Sequence, residues 1–261
     1  MIVCDTMIWY GLNNEIVEKL SLKGKLVCTH STLIELCSTH KIYRSPEEVK
    51  HAIRAIRDFG VIRSHHNPFS YGLLNFLQSY RPNPHSSIRR WESLIHFLDF
   101  EYIVNKEMAE NAKLSLDEYN KDFIGSIDYM NQTAIPIKAI NKSRKEQVKK
   151  RDYIKVSRIY IAELLLQYFR EQPAFNGAAG ISLNSDKWNN FELFIEVLAA
   201  FFKDIDSVPN QKIHENDWAD ILNMIYVNPN DQYWTEEKKW KRYINNNVNI
   251  AKYLFQPHST N

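Results

Sequence analysis

The sequence has no long apolar run and almost no net charge, and each absence narrows the class of protein. The most apolar stretches span residues 159–169 and 193–202. Both are shorter than a bilayer span and each contains a glutamate, so they predict core helices and no membrane insertion. Because the formal charge is only +2, any surface for nucleic acid must come from local clusters of charge.

Cysteine is scarce as well. Cys4, Cys28 and Cys37 include no C-x-x-C pair, and the first two lie in apolar, strand-like runs. They predict buried, reduced thiols. The N-terminus has no basic stretch followed by an apolar segment, so no signal peptide is expected. These features favour a cytoplasmic protein.

What the sequence does contain is a regular alternation of strands and helices at its two ends. Apolar runs at 1–4 and 25–29 predict buried strands, and helical spacing follows at 7–20 and 30–40. Such units joined by short turns predict parallel strands with right-handed crossovers. The pattern returns as helix 216–227, strand 231–235, helix 236–246 and strand 251–256. We therefore predict an α/β fold with a central parallel sheet of four to five strands flanked by helices.

The middle of the chain has mostly helical patterns. A weak third strand is expected near 97–104, and segment 138–158 contains nine Lys or Arg against two acids. The predicted helices there are 46–59, 106–121, 155–171 and 188–204. We predict one domain over 1–261, in which 1–44 and 211–261 form the α/β core and 45–210 forms a large, mostly helical insertion.

Carboxylates recur where the predicted strands end. Asp5 follows the first strand, Glu35 lies in the helix after the second, and Glu237 comes shortly after the strand that ends at Thr235. Asp217 and Asp220 are three residues apart, so they share one face of a helix. Ligands bind at the carboxyl ends of parallel strands, which makes these acids candidate site residues.

Each acid also has an ordinary explanation. Asp5 and Thr235 could cap the helices that follow them, Glu35 could pair with a Lys or Arg, and acids in a first helical turn favour the helix dipole. Together, however, the carboxylates would repel one another unless cations neutralise them. Oxygen-rich clusters of this kind suit Mg²⁺ or Mn²⁺.

The segments IVCDT, THSTLIEL, NDWADILNMIYV and YWTEEKKW resemble the PIN-domain nuclease family. The resemblance covers roughly 1–42 and 212–256. It matches Asp5 to the family's first acid, Glu35 to the second, Asp217 or Asp220 to the third, Thr235 to the corner hydroxyl and Glu237 to the last acid. The family usually has Asp at that last position, so Glu237 is a departure.

The resemblance implies a metal-dependent endoribonuclease. Asp5, Asp217, Asp220 and Glu35 would bind Mg²⁺ or Mn²⁺, and Glu35 with Glu237 would complete the shell or orient the attacking water. Thr235 would hold a ligand or the phosphate by a hydrogen bond. RNA is favoured over DNA because most of the family acts on RNA. The alternatives are a DNA-directed nuclease and a PIN-like binding or assembly module that has lost its metal.

The basic segment 138–158 is the candidate surface for nucleic acid, with Lys145, Lys149, Lys150 and Arg151 as the expected backbone contacts. A solvated charged linker is the competing interpretation. The helical insertion could also dock an inhibitor or another partner protein, since toxin-like members of the family bind inhibitor proteins.

Overall fold

The computed structural model describes residues 1–77, 85–99, 185–207 and 215–257, together with single helical positions between 107 and 170. Within these residues the chain forms a four-stranded, all-parallel sheet in the order β3-β2-β1-β4. Its strands are β1 (Ile2–Cys4), β2 (Leu26–Cys28), β3 (Gly60–Ile62) and β4 (Gln232–Trp234). The predicted parallel α/β fold is confirmed.

Helices cover both faces of the sheet, as a parallel sheet with buried strands requires. They are α1 (Thr6–Gly11), α2 (Asn14–Lys19), α3 (His30–Ser38), α4 (Lys41–Arg44), α5 (Pro46–Phe59), α6 (Pro68–Phe76), α7 (His85–Asp99), α8 (Glu192–Ser207), α9 (Glu215–Asn223) and α10 (Lys238–Asn245). Short 3₁₀ segments lie at Asp186–Phe191, Met224–Tyr226 and Ala251–Tyr253. No helix in the described ranges is long and apolar enough to cross a bilayer.

Strand residues alternate between two hydrophobic clusters, one on each face. Val3 and Tyr233 belong to the cluster that contains buried residues of α6, α8, α9 and α10. Cys4 and Trp234, the next residues along, belong to the cluster built with α1, α3, α5 and α7. The alternation therefore fixes which side chains of β1 and β4 face the same layer of helices.

Two predicted elements are shorter or more broken than expected. The helix predicted over 7–20 is two helices, because the Asn13 side chain accepts a hydrogen bond from Ile16 N at 2.9 Å and starts α2. At the C-terminal end, the predicted strand 251–256 begins as a 3₁₀ turn. Only Leu254 makes a bridge to Tyr233 on β4.

The third strand was predicted in the wrong place. It is Gly60–Ile62, directly after α5, whereas residues 97–99 end α7, and 100–104 lie outside the described residues. A Cβ at Gly60 would lie 2.7 Å from the Ile56 carbonyl oxygen and 2.8 Å from Trp9. Glycine therefore lets α5 turn straight into an edge strand. The apolar residues Phe97 and Leu98, which suggested a strand, pack from α7 against the core.

The other predictions for the middle of the chain are only partly covered. The helix predicted over 46–59 is α5, and that over 188–204 corresponds to the 3₁₀ segment Asp186–Phe191 followed by α8. The basic segment 138–158, with its four proposed contact residues, lies outside the described residues. The predicted division into core and insertion stays a prediction.

Candidate active site

Asp5 lies at the carboxyl end of the central strand β1 and is held there from the neighbouring strand. Its side chain is 4% exposed. Thr235, at the end of β4, donates its hydroxyl to Asp5 Oδ2 at 2.7 Å. Asp5 stands at the N-cap of α1 without making a side-chain capping hydrogen bond, although the Thr6 and Met7 amides slightly favour its ionised form. Capping therefore does not account for this carboxylate.

Glu35 reaches the same end of the sheet from α3. The residue after Asp5, Thr6, donates its hydroxyl to Glu35 Oε2 at 2.6 Å. Thr29 is the N-cap of α3 and accepts a hydrogen bond from Thr32 N at 3.3 Å, which fixes the residue at which the helix begins. The Glu35 side chain keeps a solvent-exposed surface although protein fills most of its surroundings.

Two acids on α9 were predicted as alternatives, and their environments differ. Asp220 accepts a hydrogen bond at Oδ2 from the Trp240 indole at 2.9 Å. Asp217 is paired with the Lys239 ammonium group. The charges of Asp5, Glu237 and Glu35 all contribute to the raised pKa of Asp220. Asp220 is thus within electrostatic reach of Asp5, Glu35 and Glu237, whereas Asp217 is paired with Lys239 and acts electrostatically on Glu237.

Glu237 completes the group from the start of α10. Its backbone amide donates to Thr235 Oγ1 at 3.1 Å, so one hydroxyl links Asp5 and the Glu237 backbone. The N-cap position of α10 belongs to Glu237, and not to Thr235 as the capping alternative supposed. The Glu237 side chain is exposed and makes no capping hydrogen bond.

Burial raises the pKa of all four carboxyls, and repulsion from neighbouring carboxylates adds to the shift for Glu35, Asp220 and Glu237. Burial raises the pKa of Asp220 to about 8, with the charge of Asp5 as the next contribution. Burial raises the pKa of Glu35 to about 7 against the opposing hydrogen bond from Thr6; solvent reaches this side chain and screens part of the effect. The pKa values of Asp5 and Glu237 are raised by burial too. Ionising the whole group is therefore costly without an added cation.

The chemistry of these donors fits a hard divalent ion, since they are all carboxylate oxygens. Their positions do not form a finished metal site. Within the part of the chain that the structure describes, no three acid, histidine or cysteine side chains converge closely enough to hold a metal ion. Asp5 and Asp220 are fixed by hydrogen bonds, whereas Glu237 extends into solvent. Metal binding would require the more exposed glutamates to rearrange.

The sequence did not point to several residues that shape this group. Thr6 and Trp240 orient Glu35 and Asp220. Tyr233 lies two residues before Thr235, and its hydroxyl is buried beside Asn223 without a hydrogen bond of good geometry among the described residues. Two-residue alternation along β4 could have placed Tyr233 on the same face as Thr235. Nothing in the local sequence indicates that the Trp240 indole reaches α9.

The comparisons with known proteins returned nothing to set beside this geometry. No protein-family model, curated protein or solved structure matches the chain.

Proposed function

We propose that this protein is a metal-dependent nuclease that hydrolyses phosphodiester bonds, with RNA as the favoured substrate. One observation carries the proposal. Carboxylates from four distant sequence positions gather at the carboxyl end of one parallel sheet with raised pKa values and mutual repulsion. Perturbed acids gathered in this way are typical of functional sites. The resemblance to PIN-domain nucleases adds support, because it matches Asp5, Glu35, either Asp217 or Asp220, and Glu237 to the family's acids.

Each residue has a defined part in the proposed reaction. Asp5 and Asp220, oriented by Thr235 and Trp240, would hold Mg²⁺ or Mn²⁺. When bound, such an ion supplies an activated water and stabilises the charge of the leaving oxygen. Glu35 has a pKa of about 7 and is held by Thr6, so its carboxylate can accept a proton from the attacking water near neutral pH.

Cleavage of a mixed single-stranded RNA pool in Mn²⁺ tests the proposal, with a DNA pool in parallel. We expect Asp220→Asn to lower the cleavage rate by more than about 100-fold, because losing a direct ligand should exceed the 10–100-fold effects of residues that only support ligands. Glu236→Gln is the matched control, since Glu236 precedes Glu237 but pairs with Lys241 at the surface. Asp220→Asn protein that cleaves as fast as the parent would contradict the assignment.

A second candidate function is a PIN-like binding or assembly module without metal. The observation that favours it is the lack of three converging ligands among the described residues. The two functions differ in their response to Mn²⁺. An intact site raises the melting temperature by mass action, and at one hundred times the dissociation constant the gain is about 2.7 kcal/mol. A module without metal affinity would show no Mn²⁺-dependent shift.

The predicted substrate contacts in the basic segment remain part of the proposal. Changing Lys145, Lys149, Lys150 and Arg151 together to Ala should reduce the log–log salt slope of single-strand affinity by about 2–3, at about 0.7 per contact. We expect a higher KM with little change in kcat, because the carboxylates are untouched. An unchanged slope would identify the segment as a solvated linker.

A further inference from the structure

Two lysines border the carboxylate group. Lys41 is the first residue of α4, and Lys239 lies in the first turn of α10. Burial raises the pKa of Glu35, and the Lys41 ammonium group is among the influences that oppose the shift. Burial and Asp5 raise the pKa of Glu237, and Lys239 opposes that shift. Each lysine is thus within electrostatic reach of one site acid.

Both ammonium groups are held in place by an aromatic ring and a carboxylate. Lys41 Nζ lies 4.1 Å from the centroid of the Tyr10 ring and donates to Glu48 at 2.6 Å. Lys239 Nζ lies 4.3 Å from the Phe201 ring centroid and pairs with Asp217. A cation–π contact of this kind stabilises the lysine conformation that places the ammonium group over the ring. Each of these two side chains therefore has two partners that restrict where its ammonium group lies.

The held ammonium groups can still bind an anion. Their side chains are 38% and 31% exposed, so solvent reaches both. A lysine ammonium group has three N–H donors, and one carboxylate occupies one of them. A phosphate oxygen could occupy another without breaking the ion pair. Because the rings and acids restrict each lysine beforehand, less conformational entropy is lost when the phosphate binds.

The connectivity relates each lysine to a different neighbour of β1, the strand that carries Asp5. Helix α4 follows α3, which leaves the sheet from β2, and α10 follows β4. β1 lies between β2 and β4 and carries Asp5 at its end. Two strand spacings separate β2 from β4, about 10 Å in all. The helices that carry the two lysines thus follow the two strands that flank β1.

We infer that Lys41 and Lys239 bind the backbone phosphates on the two sides of the phosphate that is cut. The inference rests on the proposed nuclease function and adds the path of the substrate. A single strand fits best, since the central carboxylate Asp5 is 4% exposed and a phosphate must bend inward to approach it. The path runs from Lys41 across Glu35, Asp5 and Glu237 to Lys239.

The charge balance explains why such contacts are needed. A polyanion approaching four carboxylates is repelled, and the chain's formal charge of +2 gives no long-range attraction. Two fixed cations at the border offset part of this repulsion where the strand enters and leaves. The competing explanation is that both lysines form only surface salt bridges, which contribute little to either stability or binding.

Salt-dependent binding in EDTA separates these explanations, because binding is then measured without cleavage. The probe is a short fluorescein-labelled single-stranded RNA, followed by anisotropy over a range of NaCl concentrations. We expect Lys41→Ala and Lys239→Ala each to reduce the log–log slope by about 0.7, and the double variant by about 1.4. In Mn²⁺, KM should rise in both variants while kcat changes little.

Matched controls isolate the position of the charge. Lys241→Ala removes a lysine two positions after Lys239 that pairs with Glu236. Lys252→Ala removes one that pairs with Glu192. Both controls should keep the parent slope. Lys41→Arg and Lys239→Arg should keep it too, because a cation remains. Melting temperatures check that every variant is folded.

The outcomes distinguish a failure of this inference from a failure of the nuclease function on which it rests. If the parent cleaves RNA and the double variant keeps the full slope, the inference is overturned and the nuclease function stands. If the controls lose as much slope as the pair, the contacts are diffuse and the inference is again overturned. If the parent neither binds nor cleaves RNA or single-stranded DNA, both proposals fail together.

Discussion

Two buried aspartates at opposite ends of neighbouring strands have opposite electrostatic surroundings. Asp231 precedes β4 and Asp5 follows β1; they are 7% and 4% exposed. Burial alone would raise the pKa of Asp231, but the Arg63 guanidinium, which donates through both terminal nitrogens, holds it below its ordinary value. The Met1 amino group lies 3.2 Å from Asp231 Oδ1. Asp5 has a threonine hydroxyl and other carboxylates beside it instead.

The difference separates an acid whose charge stabilises the fold from one whose charge is costly, as expected of the proposed site. Asp231 receives two cations and the Asn228 amide from its own chain, so its charge stabilises the fold. The group around Asp5 is ionised at a cost, because its members repel one another. A fold gains nothing from keeping such a group, so an external cation or substrate is the simplest reason for it. Four predictions test this contrast between the two aspartates.

The largest effect on stability is expected at Asp231. Arg63→Met should destabilise the protein by about 3–5 kcal/mol, because it leaves Asp231 buried with less compensation. For a domain of this size that is roughly 6–20 °C in melting temperature. Thermal unfolding followed by circular dichroism measures it. A loss below about 1 kcal/mol would show that Met1 alone neutralises Asp231.

In the carboxylate group around Asp5, removing a charge should have the opposite effect and stabilise the protein. In EDTA near pH 8, Asp220→Asn should raise the melting temperature by about 2–4 °C per kcal/mol of relieved repulsion. Its amide oxygen can still accept the Trp240 hydrogen bond. Added Mn²⁺ should then stabilise the parent and not the variant. Mn²⁺ stabilisation of both proteins to the same extent would remove Asp220 from the proposed metal site.

Features set by neighbouring residues could be predicted from the sequence, whereas features set by contacts between distant residues could not. The parallel sheet and the position of Asp5 follow from short apolar runs that each end at a polar residue, which is local information. The choice between Asp217 and Asp220 was open, because residues three apart share a helix face. The structure distinguishes the environments of the two acids, because a lysine 22 residues further on pairs with Asp217. The third strand was missed because Gly60 resembles a break until the close approach of Trp9 is known.

The pH dependence of stability should also differ between the two regions. The pKa values of Glu35 and Asp220 are raised to about 7 and about 8 from ordinary values of 4.5 and 3.8. The native state therefore binds more protons than the unfolded state between about pH 4 and pH 8, and stability falls as pH rises through that window. Asp231, whose pKa is lowered, contributes stability that is lost only as pH falls below its ordinary value of 3.8.

Comparing parent and variant isolates this dependence from the other titratable groups of the chain. Urea unfolding in EDTA at pH 5 and pH 8 should show a smaller loss on raising the pH for Asp220→Asn than for the parent. A parent whose stability rises across this window as much as the variant's would contradict the raised pKa of Asp220.

The smallest effect on stability is expected from the hydroxyls of two buried tyrosines, one with a hydrogen bond and one near the carboxylate group without one. Tyr226 and Tyr233 are both fully buried. The Tyr226 hydroxyl donates to the His66 carbonyl at 2.7 Å, whereas that of Tyr233 lies beside Asn223 and the charges of Asp5 and Asp220 without a well-formed hydrogen bond. Removing a satisfied hydroxyl costs about 0.5–1.5 kcal/mol, while removing an unsatisfied one is neutral or stabilising.

Tyr226→Phe should therefore lower the free energy of unfolding, and Tyr233→Phe should leave it equal or slightly higher. Both changes keep the ring and its packing, so the difference between the variants reports on the hydroxyls alone. Urea unfolding at one pH, in EDTA, measures both. If Tyr233→Phe loses as much stability as Tyr226→Phe, its hydroxyl is satisfied by Asn223 or by one of the carboxylates. The buried polar groups near Asp5 would then be satisfied, as those around Asp231 are. The contrast between the two regions would in that case concern only the carboxylates.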